Sequence, residues 1–344
     1  MWPALEFPFT LLPGRGIRRS LSPGALWANA GAVIGLFRAT LSSVVTFAVH
    51  RPRVVVVVGG YASFPAGLAA LLVRVPTVLV NTDAVPGAVN ALFGRLASAA
   101  AVAFPGTDLP RAHVTGTPVR PELGSLDRTE EGRHEARAML GLPVDRRTLA
   151  AFGGSLGARR INAAVADLAG RWSGRGDLSL YHVAGRRDYA QFARPDPRPA
   201  GEAGLESGLE PDQRDPRPAD LRLHYQVVPF EERMPEVYRS ADVCVCRAGA
   251  MTVAELLVAG VPAILVPLPG APRDHQTRNA EALVAAGAAI LVPDHECTAE
   301  RLEVELLALL SDPGRLAAMG AAARALGHPD AAARVAELVD AHAR

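Results

Sequence analysis

Runs of β-branched and aliphatic residues alternate with Ala-rich stretches along most of this 344-residue chain. From Arg53 to Val58 the chain is nearly all valine and closes on Gly59 and Gly60, the pattern of a central parallel strand opening into a turn. A helix is predicted from about Ala66 to Val73, a strand over Thr77 to Val80, and another over Ala101 to Phe104 after the Ala-rich segment Asn90 to Ala100. Leu149 to Phe152 begins a second series, continued by strands over Tyr181 to Ala184, Leu223 to Val227, Val243 to Cys246 and Ala263 to Val266. Such βαβ alternation predicts doubly wound parallel sheets that bind ligands at the carboxyl ends of their strands. Pro118 through Arg133 mixes Pro, Gly and charge and reads as the passage between domains. Ala190 to Asp220 has almost no apolar periodicity and reads as a solvated insertion. From Thr298 onward the pattern is helical, with breaks around Asp312 to Gly314 and Gly327 to Pro329.

The length fits two α/β domains. The expected division is 1–143 for the first domain, 144–325 for the second with its insertion at 190–220, and 326–344 for a last helix packing back on the first. Lys and Arg number 36 against 35 Asp and Glu, so no global field favours nucleic acid, and anion binding must come from local sites. Cys244, Cys246 and Cys297 form no disulfide framework; Cys244 and Cys246 share one face of a strand and read as small buried apolar residues. Metal ligation would need partners that the pattern does not supply. No uninterrupted apolar run reaches the roughly 18 residues of a spanning helix, and the start lacks the order of a signal peptide, so the cytoplasmic side is expected.

Candidate chemistry gathers at three strand ends. Gly153-Gly154-Ser155-Leu156-Gly157-Ala158 follows a strand and precedes a helical segment, where backbone amides and the helix dipole can approach a diphosphate. Many α/β folds use such a turn merely to turn tightly. Arg247-Ala248-Gly249-Ala250-Met251-Thr252-Val253-Ala254-Glu255 has small residues for close backbone approach, a hydroxyl, and an acid able to accept from a ribose diol. An acid in a first helical turn is also an ordinary dipole partner. Asp274-His275-Gln276-Thr277-Arg278-Asn279 offers amides suited to sugar hydroxyls, or simple caps.

Together these three motifs resemble the UDP-sugar domain of the MurG type of glycosyltransferase family 28. Gly59-Gly60-Tyr61-Ala62-Ser63-Phe64-Pro65 and Val114-Thr115-Gly116-Thr117-Pro118-Val119-Arg120 are similar to that family's acceptor-domain motifs. The resemblance implies a GT-B fold, two Rossmann-like doubly wound domains facing a cleft. It also implies inverting transfer of N-acetylglucosamine from UDP-N-acetylglucosamine to the undecaprenyl-linked lipid I of peptidoglycan synthesis, without cofactor or metal. By matching position, Ser155 and the turn from Ala250 through Thr252, continuing into Val253 and Ala254, hold the diphosphate. Glu255 takes the ribose and Gln276 the sugar hydroxyls, while Glu231 meets the uracil through main chain and Arg120 lies at the same end. Two other readings stay open: a UDP-N-acetylglucosamine epimerase on the same scaffold, and an inactive UDP-sugar-binding protein.

The chain departs from the family pattern twice. Leu5 to Thr10 already resembles a later strand, so the opening Gly-rich loop with its His is expected to be missing and the first domain incomplete. In Val80-Asn81-Thr82-Asp83-Ala84-Val85-Pro86-Gly87, Asp83 stands where the family has the last Asn of a His-Glu-Gln-Asn run. A carboxylate there can accept from the sugar or act as base, although turn-forming Asp is common. Finally, Arg15, Arg18 and Arg19 precede an apolar helix, Leu26 to Arg38, that carries Trp27, Ile34 and Phe37. The family resemblance makes it a peripheral contact with the inner leaflet of the cell membrane; a core helix is the plainer alternative.

Overall fold

The computed structural model describes residues 10–12, 22–154, 157–192 and 221–343, without the side chains of 23, 25–28 and 30. All but the last residue of the expected early strand Leu5 to Thr10, the basic residues Arg15, Arg18 and Arg19, Ser155, the Trp27 side chain and most of the 190–220 insertion therefore lie outside the described residues. The chain divides into two compact units, Met1–Gly116 with Ala332–Arg344, and Thr117–Ala331. The division expected after residue 143 thus falls within the second unit.

The first unit contains α1 (Pro23–His50), β1 (Val55–Val57), α2 (Phe64–Leu72), β2 (Thr77–Asn81), α3 (Ala88–Phe93), β3 (Ala99–Val102) and β4 (Ala112–Val114). Its strands are parallel in the order β1-β2-β3-β4. Leu79, Ala100 and Val102 pack with Val57, Ala70 and Phe93 in its core. β3 starts two residues before the expected Ala101, because small alanines carry no period that marks a strand edge. β4 was not expected: it is three residues long and exposed throughout, so it has no apolar signature.

Helix α1 is longer than the apolar pattern indicated. Gly31–His50, with mean hydropathy 1.8, is long and apolar enough by length and composition to cross a membrane. Counting uninterrupted apolar residues misses it, because Arg38 and Ser42 intervene, as do Thr40, Ser43 and Thr46. The hydroxyls of the last three donate to the carbonyls of Leu36, Ala39 and Ser42, each at 2.9 Å, so these residues add little unmet polarity. Ala32, Ala39, Thr40 and Ser43 are buried, and α1 packs on α2. The opposite stripe, Ile34, Phe37, Leu41, Val45 and Val49, is exposed.

The second unit runs α4 (Pro121–Gly124), α5 (Glu130–Leu140), β5 (Arg147–Phe152), α6 (Arg159–Arg171), β6 (Leu178–Val183), α7 (Tyr189–Phe192) and β7 (His224–Val228). It continues through α8 (Met234–Ser240), β8 (Val243–Cys246), α9 (Ala250–Ala259), β9 (Ala263–Leu265), α10 (His275–Ala285), β10 (Ala289–Leu291), α11 (Ala299–Leu310) and α12 (Pro313–Leu326). Helix α13 (Ala331–His342) follows, and the residues after Ala331 group with the first unit. The helical breaks fall where Asp312 and Gly327 interrupt the pattern; Asp312 caps α12 by accepting from the Arg315 amide at 2.9 Å.

The six parallel strands lie in the order β10-β9-β8-β5-β6-β7. Leu149, Ala151, Val243, Val245 and Ile264 face the helix α6 residues Ile161, Val165 and Leu168 in one core. β10 was missed because Ala289–Leu291 is too short for its period to be read.

Arginines close the carboxyl end of α8. Arg128 donates to the Tyr238 carbonyl and, at 2.9 Å, to that of Ala241. Arg137 donates to the Ser240 carbonyl at 3.3 Å and to Oδ2 of Asp242 at 2.9 Å, and the same oxygen accepts from the Thr148 amide at 2.7 Å. Cations at the negative end of a helix satisfy its last carbonyls. Burial lowers the Arg128 guanidinium to about 10. Asp242→Ala leaves Arg137 buried without its carboxylate. It is expected to destabilise the second unit by about 3 kcal/mol, read as a lower urea midpoint with unchanged slope.

Candidate functional site

Three strands of the second unit end side by side. Phe152 at the end of β5 is in register with Cys246 at the end of β8, and Cys246 with Leu265 at the end of β9. The chain goes from β5 to β6 and β7 on one side, then returns to place β8, β9 and β10 on the other. The order reverses between β5 and β8, and loops leaving a parallel sheet there diverge and open a crevice at its carboxyl edge. The turns after Phe152, Cys246 and Leu265 are the three motifs singled out from sequence.

Two glycines of the first turn have no room for a side chain. A Cβ on Gly153 would lie 2.3 Å from the Ala158 Cβ. Gly157, at φ +80°, would place one 2.3 Å from the Ala184 carbonyl oxygen and 3.0 Å from Oδ2 of Asp188. Behind it Asn162, fully buried, donates to the Ala184 carbonyl at 2.8 Å and accepts at 3.0 Å from Nε2 of His182. Nδ1 of His182 lies 2.9 Å from the Tyr225 hydroxyl. Since the Asn162 amide nitrogen donates to Ala184, Nε2 carries the proton and Nδ1 accepts from Tyr225. No described side chain caps the start of α6.

The second turn is pinned from both sides. Arg247 donates through Nη1 to the carbonyls of Val266 and Pro267, each at 3.0 Å, and to Oδ1 of Asp294 at 2.7 Å. Asn279, fully buried on α10, donates to the Ala248 carbonyl at 3.1 Å. Gly249 precedes α9 in an extended conformation, with no described side chain capping the first amides. Ala250 and Thr252 are half-buried and Met251 is exposed. Val253 and Ala254 turn their side chains to the core, and the Val253 amide donates to Gly249, so only the first residues of α9 can present amides to an anion. Glu255, one turn on, accepts at Oε2 from the Tyr238 hydroxyl at 2.8 Å, and its Oε1 lies 3.9 Å from the Arg120 guanidinium. Arg120 also donates to the Glu232 carbonyl at 3.3 Å.

The third turn reaches α10 through two residues in the left-handed region, Arg273 at φ +56° and Asp274 at φ +52°, an arrangement that costs free energy in non-glycine residues. Oε1 of Gln276 accepts from the Leu268 amide at 2.9 Å, which orients the amide so that Nε2 remains its donor end. Glu231 is held through its side chain. It accepts from the Tyr181 hydroxyl at 2.5 Å and from the Arg233 amide at 2.8 Å. Burial raises its pKa, but these hydrogen bonds outweigh that and hold the carboxyl below its usual range. Its carboxylate is thus structural, which leaves main chain for any ligand contact at this position. Asp83 belongs to the first unit, beside a buried amide network in which Asn90 donates to Oδ1 of Asn81 at 3.1 Å and Asn81 to the Asp83 carbonyl at 2.6 Å.

Residues 148–335 match the glycosyltransferase family 28 C-terminal domain and residues 2–102 the family 28 N-terminal domain. The chain belongs to glycosyltransferase family 28. A family relative from Alkalilimnicola ehrlichii, named UDP-N-acetylglucosamine–N-acetylmuramyl-(pentapeptide) pyrophosphoryl-undecaprenol N-acetylglucosamine transferase, is 40% identical over 99% of this chain and 87% of its own length. Another of the same name, from Desulforudis audaxviator, is 35% identical over 98% of this chain and 85% of its own. The crystal structure of Acinetobacter baumannii MurG superposes with a TM-score of 0.70 at 30% identity, covering 90% of this chain and 79% of that one. A UDP-GlcNAc 2-epimerase from Neisseria meningitidis shares the fold alone, at 16% identity and TM-score 0.59 over 88% of this chain and 81% of that one. The two-sheet GT-B architecture expected from sequence is that of family 28.

The family motifs did not point to Tyr238, Asn162 and His182, which support the site from behind. His182 had a signal, a titratable side chain inside the apolar strand run Leu178–Val183. Burial lowers its pKa from 6.5 to about 4. The unfolded chain therefore binds the proton first as pH falls, and stability is full above about pH 6.5 and declines toward pH 4. At 1.36 kcal/mol per unit this amounts to about 3 kcal/mol. Unfolding free energies from urea titrations at pH 7.0 and 4.5 are expected to differ more for the wild type than for His182→Gln, by about this amount.

Proposed function

We propose that this chain transfers N-acetylglucosamine, with inversion, from UDP-N-acetylglucosamine to undecaprenyl-diphospho-MurNAc-pentapeptide (lipid I), giving lipid II. The carrying observation is the convergence of three family motifs at the registered ends of β5, β8 and β9, in a chain 40% identical to a relative named for that reaction. The amides opening α9, from Ala250 through Thr252, with Ser155 in the first turn, hold the donor diphosphate, and Val253 and Ala254 keep that helix seated in the core. Glu255 accepts from the ribose, Gln276 donates to the sugar, and the main chain at Glu231 meets the uracil with Arg120 at the same end.

The acceptor hydroxyl attacks the anomeric carbon on the face opposite the diphosphate. As that bond forms, the bond to the diphosphate oxygen breaks and UDP leaves, its growing negative charge met by preorganised amides and the α9 dipole. The proton of the acceptor hydroxyl passes to a carboxylate, for which Asp83 is the candidate. Incubation with radiolabelled UDP-N-acetylglucosamine and a lipid I analogue is expected to put label into lipid. Release of a free epimer, or bound nucleotide without turnover, contradicts this. Glu255→Ala is expected to raise the donor KM about tenfold or more while the fold is retained.

The exposed stripe of α1 supports attachment to the cytoplasmic face of the cell membrane. Because α2 covers the other side of that helix, Ile34 and Phe37 enter the headgroup boundary with the helix lying on the leaflet. Exposed Arg38, Arg51 and Arg53 each add roughly 1 kcal/mol near anionic lipid. Ile34→Ser with Phe37→Ser is expected to weaken binding to anionic vesicles about tenfold. Partitioning equal to that of the wild type would argue for an ordinary surface helix.

A further inference from the structure

Tyr238 is nearly inaccessible, at 1% exposure, yet its hydroxyl makes a hydrogen bond to the one acid in the nucleotide-facing turn of α9. Three contacts fix it. Its ring meets that of Phe152 edge-on, with centroids 5.8 Å apart and planes at 84°, at the residue that opens the glycine turn. Arg128 holds its carbonyl. Its hydroxyl donates to Oε2 of Glu255 at 2.8 Å. The Glu255 side chain retains 13% exposure, and no hydrogen bond from a described residue occupies Oε1, which lies 3.9 Å from the half-exposed Arg120.

A glutamate side chain has three rotatable bonds, and a carboxylate that swings freely accepts from a hydroxyl at an entropic cost. Fixing one oxygen from a rigid ring removes that cost and aims the other. We propose that Tyr238 is a positioning residue for donor specificity: by holding Oε2 of Glu255 it presents Oε1 to the ribose, so that the site discriminates ribonucleotide from 2′-deoxyribonucleotide diphosphates. This rests on the reading that Glu255 takes the ribose. Tyr238 touches no substrate atom and acts through the carboxylate alone.

Calorimetric titration of UDP and 2′-deoxy-UDP into wild type, Glu255→Gln and Tyr238→Phe tests it. The wild type prefers UDP, Glu255→Gln loses most of that preference, and Tyr238→Phe lowers it about fivefold by weakening UDP alone, with cooperative melting retained. An undiminished preference in Tyr238→Phe, or equal weakening of both nucleotides, beside a lost preference in Glu255→Gln, overturns the role of Tyr238 and leaves the ribose reading standing. No preference in the wild type overturns the ribose reading and the inference with it. Should Tyr238→Phe not fold, a crystal structure of the wild type with UDP decides. Oε2 on Tyr238 with Oε1 on a ribose hydroxyl supports the proposal, and a broken Tyr238 contact or Oε2 on the ribose overturns it.

Discussion

Parallel pairing of β8 with both β5 and β9 is the constraint from which the donor site follows. Parallel strands share one polarity, so every strand releases its carboxyl end at the same edge, and register decides which residues arrive there together. With Phe152, Cys246 and Leu265 aligned, three separate turns start from nearly one line. A one-residue slip of β8 would exchange its two faces and carry Arg247 away from the Val266 and Pro267 carbonyls that it joins. Full burial of Val243, Cys244, Val245 and Cys246 on both faces is what holds the register.

On that frame, buried amides and arginines act as cross-ties between turns. Asn162 ties the first turn to the end of β6, Arg247 ties the second to the third, and Asn279 ties α10 back to the second. Each donates to at least one main-chain carbonyl, which favours one arrangement of the loops over many. The surfaces left to a ligand are then the parts these ties do not use: the first amides of α9, Oε1 of Glu255 and Nε2 of Gln276.

Much of this was legible in the amino-acid order. Valine-rich and alanine-rich alternation marked the parallel strands, and β8 has the bounds that its apolar run indicated, because a strand buried on both faces has no polar positions to blur its ends. β4 and β10 were not legible, since three residues carry too little periodicity. The motif residues Glu255 and Gln276 could be read from local pattern, whereas Tyr238 could not. Its partner is 17 positions away on another helix, and only the packing of α8 beside α9 creates the pair. Glu231 illustrates the converse: its position was legible, but the engagement of its carboxylate with Tyr181 and Arg233 arises from tertiary packing.

The back-bonded hydroxyls of α1 have a wider meaning. Because Thr40, Ser43 and Thr46 close their hydrogen bonds within the helix, moving that rod from an aqueous to a hydrocarbon neighbourhood would strand none of those donors. Its internal ledger stays balanced in either medium. What the rod rests against is then decided by its outward side chains, the aliphatic and aromatic stripe together with Arg38.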